Sequence, residues 1–254
     1  MLKADIKTYF NTWVFWALNG LTLGFLVLYS LLLAGMDRIG LRPMTALDYL
    51  SSSSGIYTNA LYPLLTTLFS AYVLSSEYRW RTLMVPIFEG VSRTRILSSK
   101  IGFCFLSTVI LGVVYFCGAF LFGFTLFTSQ NMLVENRTLS AFEVVARMSG
   151  VAIWTALIMV LFGLLAMLLV IQFKNALVAT VGSFLAFLIL MITAETRHNP
   201  FGPMLKIAQL LQSANLEALA RGPLLPGIGI WLLTLMVLMV ALAVSFHRQD
   251  IVLE

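Results

Sequence analysis

Charge is what this sequence has least of. Only 11% of its 254 residues are Asp, Glu, Lys or Arg, against roughly 25% in soluble domains. The deficit is not spread evenly: residues 8–36, 49–76, 101–134, 148–173, 175–194 and 222–247 contain none of the four. Histidine is almost absent too. His198 and His247 stand far apart in the chain, and no H-E-x-x-H occurs, which removes the simplest metalloprotease pattern. No Gly-Lys dipeptide occurs either, so the chain has no G-x-x-x-x-G-K phosphate cradle. The two cysteines, Cys104 and Cys117, fall in one predicted helix about 20 Å apart, too far to bridge; both read as packing residues. Met36 stands where a lipoprotein signal would carry its cysteine, and the preceding apolar run exceeds a signal core, so the first apolar stretch is expected to be retained.

What is present is apolar length. Each charge-free stretch holds about 20 helical residues, enough to cross a hydrocarbon core of roughly 30 Å. Backbone groups in such a core must be bonded within their own segment, which selects helices. The sequence therefore predicts an all-α polytopic membrane protein with six transmembrane helices, at 17–35, 57–75, 102–127, 149–171, 176–194 and 227–246. These spans use most of the chain and leave one transmembrane domain. The net charge of +5 lies in short loops, where lipid headgroups and topology account for it, and predicts no nucleic-acid partner.

Residues 2–16 precede the first span. Leu2, Ile6, Tyr9, Phe10 and Trp13 recur at helical spacing among polar residues, the pattern of an interfacial helix. Six spans put both termini on one side. Arg79, Arg81, Arg93, Arg95 and Lys100 crowd between spans two and three, which makes that side the cytoplasm. Residues 200–221, punctuated by Pro200, Pro203 and followed by Pro223, are too polar to span and predict an amphipathic helical connection at the outer surface. Asn136-Arg137-Thr138 matches a glycosylation sequon, a short pattern that arises readily by chance.

No span carries an acidic residue, Lys or Arg in its interior, whereas ion-coupled carriers place such groups at mid-membrane. The densest chemistry is the loop over 77–100. A short helix is predicted to start near Glu77, where its carboxylate favours the helix dipole. Pro86 and Gly90 bracket a turn, Ser92 is positioned to cap the next helix, and Arg93, Arg95 and Lys100 to anchor it at headgroups. With Trp80 and Phe88 as aromatic knobs, the segment reads either as a docking surface or as a solvated topology loop. In span two, Asn59, Tyr62, Thr66 and Ser70 fall within about 80° of one face at 100° per residue. They read as the lining of a translocation path or as hydrogen-bonding glue between helices. In span five, Asn175, Ala179, Gly182 and Ala186 form a small-residue stripe for close packing, within the chain or across a subunit interface.

Glu77, the Thr82-Leu83 pair, the turn before Arg93, Lys100 opening the third span and the Arg248-Gln249-Asp250 ending together give a family resemblance. The whole chain resembles the permease subunits of type-2 ATP-binding cassette (ABC) exporters, in particular the small six-helix bacterial group that includes bacitracin and lantibiotic self-protection systems. Arg81 departs from the family, which commonly has Gly before that Thr. The resemblance implies that residues 77–92 are a coupling segment docking into a separate ATPase through Glu77, Arg79, Trp80, Arg81, Thr82, Phe88, Glu89, Gly90, Ser92 and Arg93. Lys174, in the turn between spans four and five, would be a minor second contact.

It further implies a non-enzymatic transport subunit of the bacterial inner membrane, working with two copies of a cytoplasmic ABC ATPase and a second permease, the same or homologous. ATP and magnesium would be bound by the ATPase and no cofactor by this chain. Two other readings stand beside it: an ATPase-coupled scaffold for assembly or signalling, and an integral-membrane enzyme, for which an acid–base constellation is missing. The topology is directly testable. A membrane-impermeant thiol reagent applied to intact cells should label a cysteine placed at position 209 and spare one at 89; the reverse pattern would invert the protein in the membrane.

Overall fold

In the computed structural model the described residues are 12–39, 45–79, 90–127, 133–134, 137–138, 141–193, 199–212 and 222–248. They form eight α-helices: α1 Trp13–Arg38, α2 Ala46–Ile56, α3 Tyr62–Arg79, α4 Arg93–Leu126, α5 Ala141–Phe173, α6 Ala176–Ile192, α7 Gly202–Gln212 and α8 Leu224–Arg248. A two-residue antiparallel ladder, β1 Leu133–Val134 with β2 Arg137–Thr138, lies between α4 and α5; apolar patterning did not announce it, because two paired residues leave no periodic signal. The predicted interfacial helix lies almost wholly outside the described residues.

Among the described residues four helices are long and apolar enough to cross a membrane: α1, α4, α5 from Phe142, and α8. The stretch predicted as a fifth span is α6, apolar but 17 residues long. The stretch predicted over 57–75 departs most from expectation. Helix runs continuously from Ala46 to Arg79, with a π-helical turn at Tyr57–Leu61 joining α2 to α3. The Tyr62 N–H reaches back five residues to the Tyr57 carbonyl, and Pro63 follows at once. A proline has no N–H for the carbonyl one turn back and its ring crowds that carbonyl, so the helix widens instead of breaking. The start at Ala46 is set by a capping box: Asp48 N–H donates to Thr45 Oγ1 at 3.2 Å and Thr45 N–H to Asp48 Oδ2 at 3.1 Å.

Helix α5 is the hub. It packs against α3, α4, α6, α7 and α8, and 67% of its apolar window is buried, against 33% in α1 and α4 and 11% in α8. The approach to α3 and α4 is close because residue 163 is glycine: a Cβ there would lie 2.8 Å from both Ser70 Oγ and Cys104 Sγ. Trp154 Nε1 donates to the Met204 carbonyl and Trp231 Nε1 to the Leu157 carbonyl, each at 2.9 Å, fastening α7 and α8 to the same helix. The small-residue stripe of α6 is used within the chain. Ala179 is fully buried, a Cβ on Gly182 would meet Leu169 of α5 at 3.1 Å, and Asn175 caps α6 by accepting from the N–H groups of Leu177 and Val178.

Hydroxyl groups along these helices mostly fold back on their own backbone. Thr22 donates to the Leu18 carbonyl, Thr58 to Ser54, Thr108 to Cys104, Ser183 to Ala179 and Thr234 to Ile230, which satisfies them without solvent.

The glycine contacts make a paired prediction. Gly163→Ala should lower stability by about 1–3 kcal/mol through overpacking. Gly20→Ala, where nothing lies within 4 Å of the added carbon, should be neutral or stabilising by up to about 1 kcal/mol. Unfolding midpoints of the two variants in detergent check it.

Candidate functional site

The sequence offered two sites, and they lie at different depths of the helical bundle. The first is the charged end. Glu77 and Arg79 sit in the last turn of α3, which runs unbroken to Arg79. No helix starts at Glu77: no proline or glycine falls between Ser70 and Arg79, so α3 simply continues through that position. Trp80, Arg81, Thr82, Phe88 and Glu89 lie outside the described residues. The chain re-enters at Gly90 with φ 80°, a left-handed conformation that favours glycine. Ser92 then caps α4, its Oγ accepting from Arg95 N–H, as the pattern predicted.

Beyond the cap, Arg93 Nη1 donates to the His247 carbonyl at 3.2 Å. His247 Nδ1 lies 2.8 Å from the Ala243 carbonyl. A carbonyl only accepts, so Nδ1 carries the proton; on a neutral ring Nε2 is then the acceptor for the Thr94 hydroxyl 3.4 Å away. Gln172 Nε2 donates to Ser245 Oγ at 3.1 Å, and Lys174 makes the tight turn into α6 with φ 51°. The start of α4, the end of α5 and the end of α8 are thus tied together. Arg95 is exposed at this end. Lys100 is not: it is only 2% exposed, in contrast to the headgroup anchor expected of it. Helix α4 begins two turns before the apolar stretch, and Ile96, Lys100, Phe103 and Cys104 follow one another on its buried face.

The second site is the polar stripe of α3. The structure divides it. Tyr62 is fully buried, and Thr66 and Ser70 are each 1% exposed, whereas Asn59 is exposed. A regular helix would hold all four on one face; the wider π turn rotates Asn59 away from the rest. Tyr62 Oη donates to the Thr108 carbonyl of α4 at 2.8 Å, and Ser70 Oγ lies 3.1 Å from Cys104 Sγ, so these two join helices. Thr66 Oγ1 is buried and has no hydrogen-bond partner. None of the four lines the apolar groove of about 390 Å³ between α4 and α5, which is walled by Phe105, Val109, Phe116, Ser149, Ala152 and Ala156, among others.

Around the stripe is an aromatic stack that residue-type reading missed. Tyr57 and Tyr115 lie face to face with centroids 3.7 Å apart, and Tyr57 also meets Phe25 and Tyr62. Tyr57 Oη donates to the Leu111 carbonyl at 3.3 Å and Tyr115 Oη to Ser53 Oγ at 3.1 Å. Three tyrosines in charge-free stretches were the available signal, but only the meeting of α1, α2 and α4 stacks them. Asn19, nearby on α1, bonds its amide N–H to the Phe15 carbonyl and leaves Oδ1 without a partner. Among the described residues no cluster of three or more His, Cys, Asp or Glu is placed to hold a metal. No protein-family model matches the chain, and no curated protein matches it.

The buried stripe makes a contrast that stability measurements resolve. Thr66→Val removes an unpartnered hydroxyl and should leave stability unchanged or raised by up to about 1 kcal/mol, whereas Tyr62→Phe should lower it by about 1 kcal/mol. Equal losses in both, measured by thermal unfolding in detergent, would mean that Thr66 has a partner after all.

Proposed function

We propose that this chain is the transmembrane subunit of an ATP-driven exporter of the type-2 ABC class, crossing the bacterial inner membrane six times with both termini in the cytoplasm. On this reading the crossings are α1, the continuous helix α2–α3, α4, α5, α6 and α8, and α7 lies at the outer surface. The subunit works with a second permease and two copies of a cytoplasmic ATPase, which bind and hydrolyse the ATP. The chain converts that hydrolysis into conformational work and forms the translocation path together with the second permease.

The observation that carries this reading is the network at the charged end. Residues 77–92 lead directly into α4, and the first turn of α4 is hydrogen-bonded to the end of α8 through Arg93, Thr94 and His247. The end of α8 is in turn bonded to the end of α5 through Ser245 and Gln172, beside the Lys174 turn. A push on the 77–92 segment is therefore delivered to three helices at once, among them the hub. A loop that serves topology alone has no need of such ties. The family resemblance of the same segment supports the reading independently.

The test is co-purification followed by kinetics. The tagged chain should bring down an ABC ATPase subunit, and its presence should stimulate ATP hydrolysis. Trp80→Ala should loosen the complex by about 2 kcal/mol or more, as for an aromatic hot spot, while exposed Arg95→Ala should cost less than about 1 kcal/mol. An intact, fully coupled complex in both Trp80→Ala and Phe88→Ala would reduce the segment to a topology signal.

A further inference from the structure

Helix α4 carries one open strip that runs from its charged start into the groove against α5. Arg95, Ser98, Gly102, Phe105, Val109 and Val113 follow one another at helical spacing on the same face. Arg95, Ser98, Phe105 and Val113 are exposed, and Gly102 and Val109 are half-buried. From Phe105 onward the strip is one wall of the groove, and small residues open it: Gly112 on α4, Ala152 and Ala156 on α5. The groove makes almost no polar demand on an occupant. The Ser149 hydroxyl, at the end away from Arg95, donates to the Val145 carbonyl, and apart from the Cys117 thiol the other lining side chains are hydrocarbon.

The depths along this strip are those of a lipid. The charge-free stretch begins at Ile101, which sets the hydrocarbon edge near it. A headgroup region adds about 5–7 Å on each side, or about four residues of helix rise, so Arg95 stands at phosphate level. Half of the core, about 15 Å, carries an acyl chain from Ile101 past Phe105 and Val109 to Gly112 and Val113. The occupant must also be slender. The groove holds about 390 Å³, whereas a helix about 10 Å across would fill roughly 1,700 Å³ over the ~22 Å between Phe105 and Phe120. Charge selects the headgroup. Among the described residues the Arg95 guanidinium has no hydrogen bond or ion pair, and its planar fork matches a phosphate. Lys174 and Arg248 are exposed at the same end, where Glu77 closes α3, while Asp37, Asp48 and Glu143 stand at the opposite ends of their helices.

We propose that this strip is a lipid site: one acyl chain of an anionic glycerophospholipid lies in the half of the groove nearer Arg95, and the Arg95 guanidinium binds its phosphate. The site rests on the membrane reading of the fold, with α4 and α5 as crossings; it depends on neither the ATPase nor a second permease.

The experiment uses the purified full chain in mild detergent, read by native mass spectrometry with phosphatidylglycerol and phosphatidylcholine of identical chains as probes. The parent should retain one phosphatidylglycerol and prefer it to phosphatidylcholine about fivefold, the factor expected of one basic side chain at phosphate level. Arg95→Gln, at an exposed position, should fold normally and lose that preference, whereas Lys174→Asn, at another exposed cation of this end, should keep it. Inorganic phosphate in excess should displace nothing, because it has no chain for the groove. In membranes, phosphatidylglycerol with a mid-chain diazirine should photolabel residues 105–113 and 153–160 in excess over exposed Leu233, Met236 and Val237 of α8. Ala156→Phe, which fills the groove, should abolish that excess. Equal retention of the two lipids by the parent, or the same loss of preference in Arg95→Gln and Lys174→Asn, overturns the proposal. So does label spread evenly over α4, α5 and α8, or a groove left unlabelled because a second copy or another protein segment occupies it. Recovery of the chain from the soluble fraction would instead defeat the membrane reading; the assays contain no ATPase, so the exporter reading is tested separately.

Discussion

The close approach of α3, α4 and α5 at Gly163 is the contact on which the rest of the structure depends. Ser70 Oγ and Cys104 Sγ occupy the space that any larger residue at 163 would need. Those two atoms lie 3.1 Å apart, so three helices share one point of contact. From there α5 reaches α6 on one side and α7 and α8 on another. Side chains interlock tightly at such a point, and packing at interior density does not deform continuously. Displacement of one of the three helices is accordingly passed to the others.

A second constraint is the need to satisfy polar groups without water. Most hydroxyls in these helices donate to the carbonyl three or four residues before them, a local solution that costs the packing nothing. The tyrosines solve the problem at longer range: Tyr57 and Tyr62 donate to carbonyls of α4, and Tyr115 to Ser53 of α2. The aromatic stack is thus also a polar network, with ring faces buried and hydroxyls spent on neighbouring helices. The exceptions stand out against that background. Thr66, Tyr49 and Asn19 each keep a buried polar atom without a partner, Thr66 where α3 lies against Gly163 of α5.

At the charged end the logic is different. There the bonds run between helix termini, where backbone carbonyls have no helical partner. The His247 carbonyl, near the end of α8, is one of these, and Arg93 fills it. The ring of the same residue, oriented through Ala243, meets the α4 hydroxyl of Thr94. One residue therefore links the last helix to α4 by two separate groups, which makes this end stiffer than helix packing alone would.

Much of this was legible in the residues. Charge-free length is a property of composition along the chain, so the apolar helices α1, α4, α5, α6 and α8 appear where the sequence placed them, within a turn or two at most ends. Local capping chemistry was equally visible: Ser92 before α4 is a nearest-neighbour pattern. What the sequence could not carry were consequences of one helix meeting another. The stripe Asn59, Tyr62, Thr66 and Ser70 looks uniform on an ideal wheel, but Pro63 and the Tyr62 to Tyr57 bond insert a π turn that separates its first member from the rest. Lys100 reads as a headgroup anchor until it is found buried with Ile96, Phe103 and Cys104 on the inner face of α4. The small residues of α6 read equally well as a subunit contact until Leu169 is found against Gly182. Periodicity and local caps determined which segments are helices; the widened turn and the choice of neighbour decided which side of each helix is inside, because packing depends on contacts between residues far apart in the chain.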